Sequence, residues 1–298
     1  MGRPTLSLVS ATPGRTLLSL AKPNRPHPTI NDAQQDNANF GPEDIVFATV
    51  EDCGFKAALF DRLSFSFVTF VRCYFRDAAF NRVKFEGCRF IDCNFHGARL
   101  INCSFDYSEF SNCNVTFDQI KDSLPRWDNV RLIIARNLKT NASGRGEVDD
   151  ARAFLLVELR ALLRVNVGKA FLWTDPYYKK FPITERLSAF GTVAWLLFSE
   201  FVWGHGERLL RIGAVSGLLV VLFAWGYSWP GLQITFASSH PTAADYLDFS
   251  LSSFTNTGLV RWQPANMLTL WTAHLEGVLG LVLFGFLVAA VFRRFSRR

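Results

Sequence analysis

The chain is 298 residues long, enough for two domains, and its 49% apolar content and positive mean hydropathy of +0.12 move it from the ordinary soluble class toward the membrane class. Its net charge of +6 gathers at the ends, at Arg3, Arg15, Lys22 and Arg25 in front and at Arg293, Arg294, Arg297 and Arg298 behind. Such end clusters orient or tether a membrane protein and argue against nucleic acid as a partner. Phe, at 29 copies, is concentrated between residues 40 and 117, whereas Leu, Val, Trp and Gly dominate after residue 187, so two architectures share one chain.

Residues 1–37, rich in Pro, Ser, Thr and Asn, are predicted to be disordered. Pro4, Pro13 and Arg15 interrupt the apolar run that a signal peptide needs, and Leu6 stands where a myristoylation pattern wants Ser or Thr.

From Phe40 onward every fifth residue is large and apolar, through Phe55, Phe75, Phe95 and Val115 to Ile120. A period of five belongs to neither a helix nor an ordinary strand. It predicts a solenoid in which one residue of each repeat always points inward. The residue two before each of these is usually small, as at Ala48, Cys53, Ala58, Cys73 and Ala78, which adds a second inward position. The runs CRFID, CNFHG, ARLIN and CSFDY from Cys88 to Tyr107 resemble the pentapeptide-repeat family. The resemblance implies a right-handed quadrilateral β-helix with four repeats to a coil, assigned to residues 38–122.

All six cysteines occupy the small inward position, and Cys53, Cys73, Cys93 and Cys113 recur every twenty residues. Stacked coils lie only ~4.8 Å apart, so a metal or redox ladder and a set of small buried hydrophobes are the two readings. Side chains stacked in parallel suit neither tetrahedral ligation nor disulfide geometry. The thiols are therefore read as buried hydrophobes, reduced, in agreement with a cytoplasmic location for this domain, with no metal and no cofactor expected. Some soluble pentapeptide proteins mimic DNA and protect a topoisomerase. A mimic needs an acidic column, whereas Arg62, Arg72, Arg76, Arg82, Lys84, Arg89 and Arg99 nearly balance the acidic side chains. The coil faces better suit an unidentified cytoplasmic protein or a neighbouring subunit.

Residues 123–184 form a helical linker. Val130, Ile133, Ile134 and Leu138 make one stripe, Phe154, Leu155, Leu159, Leu162 and Leu163 another, and Ser143-Gly144-Arg145-Gly146 the turn of a helical hairpin. The segment resembles the linker that joins pentapeptide domains to channel domains in certain bacterial membrane proteins. Its polar face, with Asp149, Asp150, Arg152, Glu158 and Arg160, reads as a solvated surface. Residues 185–207 contain an amphipathic run, Leu187 to Trp203, that either lies in the membrane interface or spans. Its one-sided Ser188, Thr192, Ser199 and Glu200 favour the interface.

Residues 208–298 read as a membrane hairpin. Leu209–Trp229 carries Arg211 as its single charge and Met267–Phe292 carries Glu276 alone, and a hydrocarbon core of about 30 Å needs roughly 20 apolar residues. Gly213-x-x-x-Gly217 permits close helix approach, while Trp225, Tyr227 and Trp229 mark an interfacial belt. Pro241 and Thr242 start a helix to about Phe254, too short to cross. The stretch FSLSSFTNTGLVRWQP resembles the pore helix, filter and following loop of tetrameric cation channels. The resemblance implies an α-helical pore domain with two spans and a re-entrant pore helix, a homotetramer in a lipid bilayer passing inorganic ions, and a multi-pass protein of the bacterial inner membrane with both termini cytoplasmic.

The filter residues carried over are Thr255, Asn256, Thr257, Gly258, Leu259, Val260 and Arg261, and only Gly258 matches the potassium pattern T-V-G-Y-G-D. Val260 stands where a second glycine should adopt a conformation that β-branched residues resist. Fourfold assembly turns Arg261 into a ring that favours anions, opposed by the negative C-terminal ends of the pore helices. Glu276 supports the pore, with Arg261 as its expected partner, and Gly280 and Gly285 are read as hinge or packing positions. His205, His240 and His274 lack ligand-spaced partners, and no nucleophile, carboxylate pair or phosphate loop points to an enzyme. The leading expectation is a weakly selective or anion-permeable channel; the alternative is a non-conducting, membrane-anchored pentapeptide scaffold.

Overall fold

The computed structural model describes residues 28–172, 175–203, 209–235, 241–257 and 263–295. It divides into two compact units, Met1–Phe190 and Gly191–Arg298. The first is built on a parallel β-solenoid of about four turns. Three of its sides are sheets of five, four and four strands, running from Thr29–Asn31 to Glu109–Ser111. The fourth side is a row of single bridges through Gln34, Gly54, Tyr74, Asn94 and Asn114. Every strand partner lies twenty residues away, as Val50 beside Phe70 and Phe70 beside Phe90, so four five-residue repeats close each coil.

Corners recur two residues after each inward Phe, at positive φ in Arg62, Phe67, Arg72, Asp77 and Arg82, with Gly87 and Gly97 continuing the series. For a non-glycine residue that conformation costs roughly 1–2 kcal/mol. Hydrogen bonds to the next coil offset it, such as Arg62 N–H to the Asn81 carbonyl at 2.9 Å and Arg72 N–H to the Ile91 carbonyl at 2.8 Å.

Inside, the phenylalanines form columns. Phe60 and Phe80 stack with centroids 4.6 Å apart, Phe85 and Phe105 at 4.7 Å, Phe90 and Phe110 at 4.9 Å, and neighbouring columns meet edge to face, as Phe70 and Phe75 do at 74°. Each cysteine performs one repeated task. Its thiol donates to the carbonyl of the residue twenty-three positions earlier, Cys73 to Val50 at 3.3 Å and Cys113 to Phe90 at 3.2 Å. Ser108 does the same toward Phe85, so a small donor is what the position requires.

The solenoid begins at Thr29, inside the segment assigned to disorder. Ile30 continues the five-residue register and is fully buried, but Gln35 occupies the next inward step and hides the repeat from an apolar count. Residues 1–27 lie outside the described residues. At the other end the terminal strand would present a raw edge. Helix α1 (Phe117–Ile120) follows it, and α2 (Asp128–Gly144) covers it. Asn137 Oδ1 accepts Phe110 N–H at 2.7 Å, and Asn141 bonds both the N–H and the carbonyl of Cys113 at 2.8 Å. Two amides one turn apart thus replace the strand that does not follow.

The expected hairpin is α2 with α3 (Val148–Phe171). Its polar face is not uniformly solvated. Glu158 is buried, accepting from Arg136 at 2.9 Å and Lys139 at 2.6 Å, and Asp150 accepts Phe117 N–H at 2.9 Å. A helical period reports which face is polar, not which polar residue meets a neighbouring helix. Beyond α3, the buried Arg186 donates to the carbonyls of Lys169, Tyr178 and Phe181. The boundary between the two units falls inside α4 (Ile183–Trp203). Among the described residues α4 does not reach the hydropathy of a span. Residues 204–208 lie outside the described residues.

Burial pushes the Glu158 carboxyl up, yet Lys139 and Arg136 outweigh burial and hold it below the ordinary Glu value. A depressed folded-state value stabilises above the unfolded pKa and is lost as pH falls through the folded one. Glu158→Gln should therefore cost roughly 1.5–3 kcal/mol at neutral pH, with the difference from wild type vanishing in acid, as paired denaturation curves would read. The thiols carry a second expectation. Burial pushes Cys88 up to about 11 and also raises Cys53 and Cys103, and all six cysteines are buried and free. A thiol reagent at pH 8 should label the denatured but not the native protein; native labelling would contradict the packing.

Candidate functional site

The second unit is organised by α5 (Leu209–Tyr227), α6 (Ala243–Thr255) and α7 (Met267–Phe295). Leu210–Tyr227, of 18 residues and mean hydropathy 1.7, and Met267–Phe292, of 26 residues and 2.4, are long and apolar enough to cross a membrane. Only 17% and 22% of these stretches are buried, the reverse of a soluble core helix. The 13 residues of α6 rise about 20 Å, short of a hydrocarbon core of about 30 Å. Thr242 starts α6 by donating its N–H and hydroxyl to Asp245 at 2.7 and 2.8 Å. That pair sits where Pro241-Thr242 forecasts a helix start.

Glu276, the single acidic residue of α7, is fully buried. One carboxylate oxygen accepts the Tyr227 hydroxyl at 2.8 Å. The other meets the Ser250 hydroxyl, which also lies 2.8 Å from the Val220 carbonyl. One carboxylate therefore ties α5, α6 and α7 together. Arg261, the expected partner, lies outside the described residues. Tyr227 departs from the reading as a belt residue: Trp225 and Trp229 are 61% and 56% exposed, whereas Tyr227 is 1% exposed and packs edge-on against Phe249 at 4.9 Å. Neither Tyr227 nor Ser250 was assigned this role from sequence, because their convergence on Glu276 spans 49 and 26 residues. A lone acid in an apolar run, which demands a partner, was the available signal.

Glycines let α6 approach α7. A Cβ on Gly277 would lie 3.1 Å from the Ser253 carbonyl oxygen, and one on Gly280 would collide with the Phe254 carbonyl. Gly285, Gly213 and Gly217 meet nothing within 4 Å. Gly280 is thus a packing position, against α6 and not the first span, while Gly285 has room. At the far end of the loop Ile234–Thr235 pairs antiparallel with Gln263–Pro264. Asn266 caps α7 by accepting from the Thr269 N–H and hydroxyl at 2.8 and 2.7 Å.

Thr255 ends α6, with its hydroxyl on the Leu251 carbonyl at 2.7 Å and 3.2 Å from that of Thr257. Asn256 follows at φ 50°, a left-handed cap that Asn tolerates. All three are exposed. Gly258, Leu259, Val260 and Arg261 lie outside the described residues, as do His205 and His240. Beside α6 and α7 an open cavity of about 430 Å³ is lined by Phe249, Ser252, Asn256, His274 and Leu281 among others. Among the described residues no group of His, Cys, Asp or Glu could hold a metal.

Comparison with known proteins bears on the solenoid. The family model described as Pentapeptide repeats, 8 copies, matches residues 58–97 and 78–116. No curated protein matches the chain. Among solved structures the chain is similar to a pentapeptide repeat protein, Rfr23, from the cyanobacterium Cyanothece 51142, at 8% identity over 28% of this chain and 75% of that one, with a TM-score of 0.23. It is also similar to two trypsin-treated forms of QnrB1, a plasmid-mediated fluoroquinolone resistance protein. Those matches are at 16% and 19% identity over 28% and 30% of this chain and 54% and 47% of theirs, with TM-scores of 0.16 and 0.17. The chain spans about half the length of the QnrB1 chains. The solenoid is thus a pentapeptide-repeat domain, suited to protein interaction, followed by a helical region with two candidate spans.

The glycine seam is directly testable. Gly280→Ala should force α6 from α7 and lower the melting temperature of the detergent-solubilised protein, whereas Gly285→Ala should leave it unchanged. Equal effects would contradict the seam.

Proposed function

We propose that the C-terminal unit assembles as a homotetramer in a lipid bilayer and conducts inorganic ions, with the pentapeptide-repeat domain as a cytoplasmic interaction module. The observation that carries this reading is α6: a helix too short to cross, held between two span-length helices by a buried carboxylate and a glycine seam. A short polar helix is tolerated at membrane depth where protein buries it or water bathes its end. In one copy α7 leaves Trp271, Leu281, Phe284 and Phe292 exposed, and the Gly213/Gly217 face of α5 is open. Lipid and neighbouring copies are the natural partners of those surfaces.

Fourfold assembly would place a ring of Arg261 charges at the conduction path, and such a ring favours weak selectivity or anion permeability. Reconstituted in planar bilayers under a KCl gradient, the protein should pass current that reverses away from the potassium equilibrium potential, and Arg261→Asp should move the reversal toward cation preference. Reversal at the potassium value would refute the selectivity.

The second reading, a membrane-anchored scaffold, is favoured by the pentapeptide match and by the neutralised coil faces. Arg72 pairs with Asp52 and Glu51 at 2.6 and 2.7 Å, and Arg82 with Asp61 at 3.1 Å. A tetramer that stays silent in bilayers would establish it over the channel.

A further inference from the structure

Within the first unit a concave groove of about 920 Å³ opens between the solenoid, the connector after it and α3. Leu124, Pro125, Val157 and Ala161 contribute its apolar lining, and seven cationic side chains face two acidic ones, Asp106 and Asp122. Four of the cations have acidic partners: Arg82 with Asp61, Lys121 with Asp118, and Arg131 and Arg164 with Asp128. Lys84, Arg126 and Arg160 have none among the described residues. Trp127 also lines the groove and is 75% exposed, an indole presented to solvent.

Ion pairs that hold the fold account for four of these cations but not for Lys84, Arg126 and Arg160. Like charges in one concavity repel, and a focused positive field raises the local concentration of an anionic ligand. Guanidinium forks match phosphate oxygens in pairs, and an exposed indole offers a stacking face to an aromatic base. The volume falls within the range of about 300–1,000 Å³ usual for small-molecule sites. A flat bilayer surface does not follow such a concavity, and an exposed indole beside the cations favours a ligand that carries an aromatic ring as well as negative charge. We propose that the groove between the solenoid and the helical hairpin binds a nucleoside polyphosphate, its phosphates on Lys84, Arg126 and Arg160 and its base on Trp127.

The test uses the full chain in detergent, titrated by calorimetry with ATP and, separately, with inorganic tripolyphosphate. ATP should bind saturably at one site per chain. Lys84→Glu and Arg160→Glu, both at exposed positions, should each weaken it about tenfold or more with the melting temperature unchanged. Trp127→Ala should weaken ATP while sparing tripolyphosphate, because only the base uses the ring. Absence of saturable binding to either probe would overturn the proposal, as would ATP binding that survives both charge reversals. Equal affinity for poly-glutamate would reduce the groove to an acidic-peptide surface. Binding confined to phosphatidylglycerol vesicles, against neutral ones, would reassign it to the lipid headgroup.

Discussion

Coil-to-coil register is the constraint on which the N-terminal unit depends. Each inward Phe must lie under another twenty residues on, and a slip of one residue would turn every ring outward. The thiol-to-carbonyl bonds, twenty-three residues long, the left-handed corners at five-residue intervals and the ion pairs across twenty or twenty-one residues all join adjacent coils or turn them, so they reinforce a register that the Phe columns select. A solenoid whose units contact only their neighbours still needs its ends closed. The α2 amides, Asn137 and Asn141, close one of them, which makes the helical hairpin an integral part of the solenoid and not a mere tether.

In the C-terminal unit a buried carboxylate takes the role that stacking plays in the solenoid. Three helices with largely apolar surfaces gain little selectivity from apolar contact alone. Glu276 supplies the choice, because an acid in an apolar helix must be satisfied, and Tyr227 and Ser250 satisfy it from two other helices. The glycines of α7 then set how closely α6 lies. Polar partnership fixes which helices meet, and small residues fix the distance.

Much of this was legible in one dimension. The five-residue period forecast the solenoid, the two apolar stripes forecast the hairpin, and Pro241-Thr242 forecast the start of α6, since each is a local pattern with a local cause. Where the forecast missed, the cause was a contact distant in the chain. Gln35 masked the first coil, although Ile30 keeps the register. Glu158 and Asp150 looked like surface residues of a polar face until α2 and the solenoid end were set against them. Tyr227 looked like one of three exposed aromatics because its neighbours Trp225 and Trp229 are exposed.

What the sequence determined by itself is periodicity: which residues face inward in a coil, which stripe a helix buries, which segments are long and apolar enough for a bilayer. Those follow from backbone geometry repeated along the chain, so spacing alone reveals them. The partners of the isolated polar groups were decided only in three dimensions, at Asn141 on Cys113, at Lys139 on Glu158 and at Ser250 and Tyr227 on Glu276. A single buried hydrogen bond has no period, and its cost and its reward appear only when the chain brings both ends together.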